Sequence, residues 1–148
     1  MKNELEPKFE KVIIIDDNPI ERYCFSRIVL NNNFGKKVIE FSLASEAISY
    51  LENQKNTNQM PQIIFIDLYM PHFSGFEFLE AYDKLPLTVK NNSKVFIISN
   101  TIDDVDIARV CRDQNVVSFQ QKPITKKFLD RIIPEKIYLI DNKCNTKM

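Results

Sequence analysis

The chain has 148 residues, with 20 Lys plus Arg against 20 Asp plus Glu, and 44% of its residues are hydrophobic. That length suits one domain with a real core, and the charge balance excludes an overall field drawing it to nucleic acid or an anionic membrane. Met1 to Glu10 is polar and charged, and no stretch approaches the roughly 20 uninterrupted apolar residues that span a bilayer, so a cytoplasmic, unexported protein is expected.

In chain order, an N-terminal extension over 1–10 leads into a first β-branched run, Val12 to Ile15, which ends in Asp16-Asp17. Asn18 before Pro19 supplies a helix cap and a first-turn proline, and Ile20, Tyr23, Cys24 and Ile28 predict one buried helical stripe. Val38 to Phe41 predicts a second strand, and Ala44, Ala47, Ile48 and Leu51 a second helix. After a polar linker, Asn53 to Gln62, the run Ile63 to Ile66 predicts a third strand that ends at Asp67. Phe76, Leu79 and Tyr82 mark a third helix, and Val95 to Ile98 a fourth strand ending at Ser99. Thr101 ahead of Asp103 and Asp104 predicts the cap of a helix carrying Ile107, Val110 and Cys111. Val116 to Phe119 is the fifth strand, with Lys122 just beyond it. Thr125 caps a last helix through Phe128, Leu129, Ile132 and Ile133, which Pro134 is expected to end. In the tail, 134–148, the apolar run Ile137 to Ile140 is expected to pack back on the domain.

Four of the five strand runs are apolar nearly throughout, as a parallel sheet requires when helices cover both faces. Five strand–helix alternations predict a doubly wound α/β domain with a five-stranded parallel sheet flanked by five helices, whose ligands bind beyond the carboxyl ends of the strands. Cys24, Cys111 and Cys144 are odd in number and widely spaced, which suits neither a disulfide framework nor a zinc site, so reduced thiols are expected.

The strand ends bring together Asp16, Asp17, Asp67, Ser99 and Lys122. Each has an ordinary reading as a cap or turn residue; the set on one edge points to chemistry. Carboxylates about 4 Å apart repel by roughly 4 kcal/mol per pair at an effective dielectric near 20, so the three acids call for a cation. With no His or Cys in the set, magnesium, or manganese in its place, fits better than zinc or iron. Asp67 is then the nucleophile toward phosphorus, with Lys122 and Ser99 answering charge on the phosphoryl oxygens. His72, nearby and alone, reads as a solvated loop residue.

Through Ile13-Ile14-Ile15-Asp16-Asp17, Ile66-Asp67-Leu68-Tyr69-Met70-Pro71 with Gly75, Ile97-Ile98-Ser99, and Phe119-Gln120-Gln121-Lys122-Pro123, the chain resembles the response-regulator receivers of two-component systems. The resemblance runs from about Lys11 to Ile133 and implies a flavodoxin-like fold and a free-standing, chemotaxis-regulator-like receiver. It implies that Asp17 binds the metal directly, Asp16 through water, and the Tyr69 backbone carbonyl completes the protein ligands. It makes Asp67 the phosphoacceptor, with a phosphohistidine of a histidine kinase or phosphotransfer protein as donor. It gives Ser99 and Phe119 switch roles, makes the Lys122-Pro123 bond cis, and places the readout on a face including Arg109, Arg112, Lys126 and Lys127. The downstream partner is another protein, with no nucleic acid or membrane engaged directly and phosphorylation-dependent dimerisation left open.

Some positions depart from the family pattern. Asn100 stands where a small residue is usual, Asn115 where glycine is frequent, and Phe119 lacks a tyrosine hydroxyl. Tyr69 and Thr101 flank the acceptor, and the Tyr69 ring is expected to shield an aspartyl phosphate. Two other readings stay open: a receiver-like binding module insensitive to phosphorylation, and an aspartate-based phosphatase. The latter needs a second Asp two residues after the nucleophile, where Tyr69 stands.

Overall fold

The computed structural model describes residues 6–54 and 59–139. Five strands, β1 (Phe9–Ile15), β2 (Gly35–Phe41), β3 (Ile63–Ile66), β4 (Lys94–Ser99) and β5 (Val116–Gln121), form one parallel sheet in the order β2-β1-β3-β4-β5. Between and after them lie α1 (Pro19–Asn31), α2 (Ala44–Glu52), α3 (Gly75–Asp83), α4 (Leu87–Asn92), α5 (Asp104–Cys111) and α6 (Lys126–Asp130), followed by a 3₁₀ helix, Pro134–Leu139. Six α-helices among the described residues thus replace the five expected.

Alternate residues of the strands feed two cores, which is why the strand runs are apolar throughout. Ile13, Ile15, Ile64 and Ile66 face the layer with α2, α3 and α5, including Leu51, Phe78 and Val110. Val12, Ile14, Ile63 and Phe65 face the layer with α1 and α6, including Phe25, Val29, Phe128 and Leu129. Ile137, the first residue of the apolar run Ile137 to Ile140, is buried in this second layer; the side chains that follow lie outside the described residues.

Four local expectations are corrected. On α1 the buried residues are Phe25, Ser26 and Val29, whereas Ile20 and Tyr23 are 73% and 62% exposed and Cys24 is exposed. Phe25 wins the inward position because its ring packs 4.8 Å from that of Phe65 at the sheet centre, a larger apolar burial than the alternative stripe offers. The added helix α4 is a single six-residue segment behind Pro86, too short to show a periodic pattern. The cap of α5 is Asp103, whose carboxylate accepts from the Val105 and Asp106 N–H groups, while the Thr101 hydroxyl accepts from Asp103 N–H one step earlier. Pro134 starts the 3₁₀ helix, because α6 has already ended at Asp130 and a proline suits a first turn. The expectation of three reduced thiols also fails at Cys111, which is disulfide-bonded; Cys24 is free, and Cys144 lies outside the described residues.

Candidate phosphoacceptor site

The register of the sheet sets the site. Ile15 pairs with Ile66 across β1 and β3, so the next residues, Asp16 and Asp67, leave the sheet side by side; the Asp67 N–H still bonds the Ile15 carbonyl at 3.0 Å. Asp16 is 5% exposed, and its Oδ1 accepts from the Asn18 N–H at 2.9 Å. Arg22, from the second turn of α1, donates to the Asp16 carbonyl at 2.7 Å and pairs with Glu40 of β2, which ties the start of α1 to the strand edge. Asn18 caps the helix through the Ile20 and Glu21 N–H groups, as expected, and so fixes its first turn over the site.

After Asp67 the chain folds back sharply. His72, exposed with φ +70°, forms the apex of a turn closed by a Phe73 N–H to Pro71 carbonyl bond of 2.8 Å. Gly75 then donates to the Leu68 carbonyl at 2.8 Å, and a Cβ there would lie 2.8 Å from the Asp67 carbonyl oxygen and 2.9 Å from the Leu68 Cα. Only glycine lets α3 begin this close to Asp67. Ser74 caps α3 in a reciprocal box with Glu77.

From β5, Lys122 reaches the same point. Its N–H donates to the Ser99 carbonyl at 2.9 Å, and the Lys122–Pro123 peptide bond is cis. Its ammonium donates to Glu21 Oε2 at 2.7 Å, Asp16 Oδ2 at 2.9 Å and Asp67 Oδ2 at 3.2 Å. Asp16, Glu21 and Asp67 each offer a carboxylate oxygen within 4.8 Å of the others. Three carboxylates and one ammonium leave the cluster two negative charges in excess. Burial, assisted by the neighbouring Asp16, pushes the Asp67 carboxyl up from 3.8 to about 6, even though Lys122 works in the opposite direction. Burial also works against the Lys122 ammonium, but hydrogen bonds to Glu21 and Asp16 and the charge of Asp67 outweigh it and hold the group above the usual lysine range.

Asp17, the next residue, is exposed and is not one of the three gathered carboxylates. Glu21 takes a place in the cluster that sequence reasoning did not give it. Its only signal was an acid in the first turn of α1, which reads equally well as a helix-dipole acid. Ser99 is fully buried at the end of β4, its hydroxyl accepting from the Thr101 N–H at 3.3 Å. Tyr69 is half-exposed, and its hydroxyl lies 3.4 Å from that of Thr101. Phe119 is 3% exposed in the core opposite Ile97. Asn100, exposed, borders a cavity of about 230 Å³ shared with Glu21, Cys24, Phe25, Lys122 and Pro123.

The donor set suits a hard divalent cation: it consists of carboxylate oxygens in reach of one another, and a single ammonium leaves Asp67 short of ionisation at mildly acidic pH. Asp16, Glu21 and Asp67 thus form an acidic pocket of the kind that suits an ion of the magnesium class, with Glu21 engaged by the Lys122 ammonium on its solvent side.

Comparison with known proteins agrees with this geometry. Residues 12–133 match the family model of the response regulator receiver domain. A receiver protein from Dyadobacter fermentans superposes with a TM-score of 0.78 at 28% identity, covering 88% of this chain and 98% of its own. A two-component response regulator from Cytophaga hutchinsonii gives 0.79 at 25% identity, covering 90% and 99%. Among curated proteins, the hybrid signal transduction histidine kinase C of Dictyostelium discoideum is 28% identical over 135 residues, 88% of this chain but 10% of that kinase. The 3',5'-cyclic-nucleotide phosphodiesterase regA of the same organism is 25% identical over 131 residues, 16% of its length, so this chain spans a small fraction of either relative. With its five-stranded sheet, its acids converging on Lys122 and a match over most of its length, the chain belongs to the response regulator receiver domain family.

Proposed function

We propose that this receiver domain accepts a phosphoryl group from a phosphohistidine donor onto Asp67, in a reaction that depends on magnesium or manganese, and signals the event to a protein partner. The observation that carries this reading is the Lys122 ammonium 3.2 Å from Asp67 Oδ2, at the carboxyl edge of a parallel sheet with a surplus of negative charge around it. Asp16, Asp17 and Asp67, with the Tyr69 main-chain carbonyl, would hold the metal. When bound, the ion neutralises charge on the phosphoryl oxygens and keeps Asp67 ionised.

An Asp67 carboxylate oxygen attacks phosphorus; the P–O bond forms as the P–N bond to the donor imidazole breaks, and the electron pair of that bond stays on the imidazole nitrogen. Lys122 leans from the acids onto a phosphoryl oxygen, and the Ser99 hydroxyl donates to another. The Ser99 carbonyl is already bonded to the Lys122 N–H, so the two groups move as a unit and carry β4 and β5 with them. The added group brings about −1.5 to −2 charges, and shifting the population from 1:99 to 99:1 takes roughly 5.5 kcal/mol, within reach of a few charge-assisted hydrogen bonds. Phe119, one strand layer below, would repack in response. The readout face includes Arg109, Arg112, Lys126 and Lys127, of which Arg109 stacks 3.9 Å from the centre of the Phe76 ring and Lys126 pairs with Asp130 at 2.7 Å. The exposed Ile20 and Tyr23 beside the site give a donor protein an apolar rim to dock on.

Incubation with acetyl phosphate and magnesium should add one phosphoryl group by mass, absent with chelator and absent in Asp67→Ala. No shift in the unmodified protein would move the balance to a binding module, and continuous release of phosphate from a generic ester to a phosphatase. The Tyr69 ring, tethered toward Thr101, should slow water attack on the product; Tyr69→Asn is expected to speed decay of the labelled protein roughly threefold to tenfold. An unchanged decay rate would remove that role.

A further inference from the structure

The shortest contact of the Lys122 ammonium goes to a residue outside the motifs of the family resemblance. Glu21 Oε2 lies at 2.7 Å, against 2.9 Å for Asp16 and 3.2 Å for Asp67. The Glu21 side chain is 41% exposed while those of Lys122 and Asp67 are 11% exposed, so Glu21 engages the ammonium from the solvent side of the cluster. Its backbone is fixed by the Asn18 cap, so the carboxylate is presented by a rigid first turn and not by a loose loop.

We propose that Glu21 is a positioning residue of this site: it draws the Lys122 ammonium toward α1 in the resting protein, so that the contact to Asp67 is the longest of the three and the most easily displaced by an entering metal, and gives the ammonium up when the phosphoryl group arrives. This rests on the reading of Asp67 as acceptor. Two effects of opposite sign follow. Without the Glu21 charge the ammonium, already shared with Asp16 and Asp67, draws closer to those two and competes more strongly with an entering cation, so the metal binds less well. An anion on Asp67, by contrast, no longer has to break an existing ion pair to recruit Lys122, and meets one negative charge fewer, so it binds better.

The experiment titrates the protein and Glu21→Gln first with magnesium chloride alone, then with fluoroberyllate at saturating magnesium, by calorimetry and by following the Lys122 ammonium resonance. In Glu21→Gln the magnesium dissociation constant should rise, and the fluoroberyllate constant fall, each by roughly threefold to tenfold. Glu21→Asp, which keeps the charge but is one methylene too short for the contact, should follow Gln. Changes in the same direction, no change, or an Asp variant that behaves like the parent would overturn the positioning role. Failure of the unsubstituted protein to bind either probe would instead overturn the acceptor reading beneath it.

Discussion

Replacing Lys122 by Met should lower the stability of the metal-free protein by about 2 to 4 kcal/mol at pH 7 and slow phosphoryl uptake by about two to three orders of magnitude. Met keeps the stem, so the packing of β5 is conserved and only the ammonium is lost. Asp16, Glu21 and Asp67 then face one another within 4.8 Å with no cation between them, and Asp16 and Asp67 are too buried for water to screen the repulsion. The partial exposure of Glu21 lets it swing outward, which holds the cost below that of a fully buried uncompensated charge. Saturating magnesium should restore most of the loss, since it supplies the missing positive charge; acid should restore part of it by neutralising Asp67. The uptake defect should persist in magnesium, because in the proposed reaction the ammonium is also the partner of the phosphoryl oxygen. Chemical denaturation with and without chelator, beside the rate of labelling by acetyl phosphate, reads both effects. Equal stability of the two proteins in chelator would show that Lys122 is not the cation of the resting site.

The second large effect runs against intuition: Asp67→Asn should abolish phosphoryl uptake and yet stabilise the metal-free fold by about 2 kcal/mol above pH 6. Folding raises the Asp67 carboxyl from 3.8 to about 6, so between those values the native state binds more protons than the unfolded chain. The group's favourable contribution is therefore fully present below pH 3.8 and is lost as pH rises through about 6. A shift of that size corresponds to about 3 kcal/mol, which the remaining solvent contact reduces to about 2. Asparagine carries no charge at any pH and escapes the loss, while Lys122 keeps Asp16 and Glu21 as partners. Melting curves of both proteins in chelator from pH 4 to pH 8 should coincide more closely at the acid end and separate toward neutrality. Parallel curves, or a less stable variant, would mean that Asp67 carries no electrostatic strain. Asp67 is then a destabilising residue for the metal-free fold, which is what the proposed role of a reactive carboxylate next to other acids requires.

How much of this could be read before the structure depends on the range of the interactions involved. The five strands, their parallel sheet and the convergence of Asp16, Asp67 and Lys122, with Ser99 at the neighbouring strand end, are legible, because continuous β-branched runs fix buried strands and a strand end fixes the edge on which its next residue emerges. Strand limits were short: β1 begins at Phe9 and β5 runs to Gln121, because pairing to a neighbour recruits polar residues that no local pattern marks. The buried face of α1 is not legible in the sequence, because Ile20, Tyr23 and Cys24 make as good a stripe as Phe25 and Val29, and only the ring of Phe65 decides between them.

The same division applies to the site. Sequence by itself determined which residue types stand at the sheet's carboxyl edge, since chemistry and position along a strand are both local properties. Which acids share the lysine was decided by tertiary structure alone: Asp17 faces solvent while Glu21, carried in by the first turn of α1, takes the closest contact with an ammonium a hundred residues downstream. The physical reason is that an ion pair is set by the distance between charges after the helix has docked, and the orientation of that helix depends on the packing of Phe25 and Val29 on the sheet, which no spacing between acidic residues encodes.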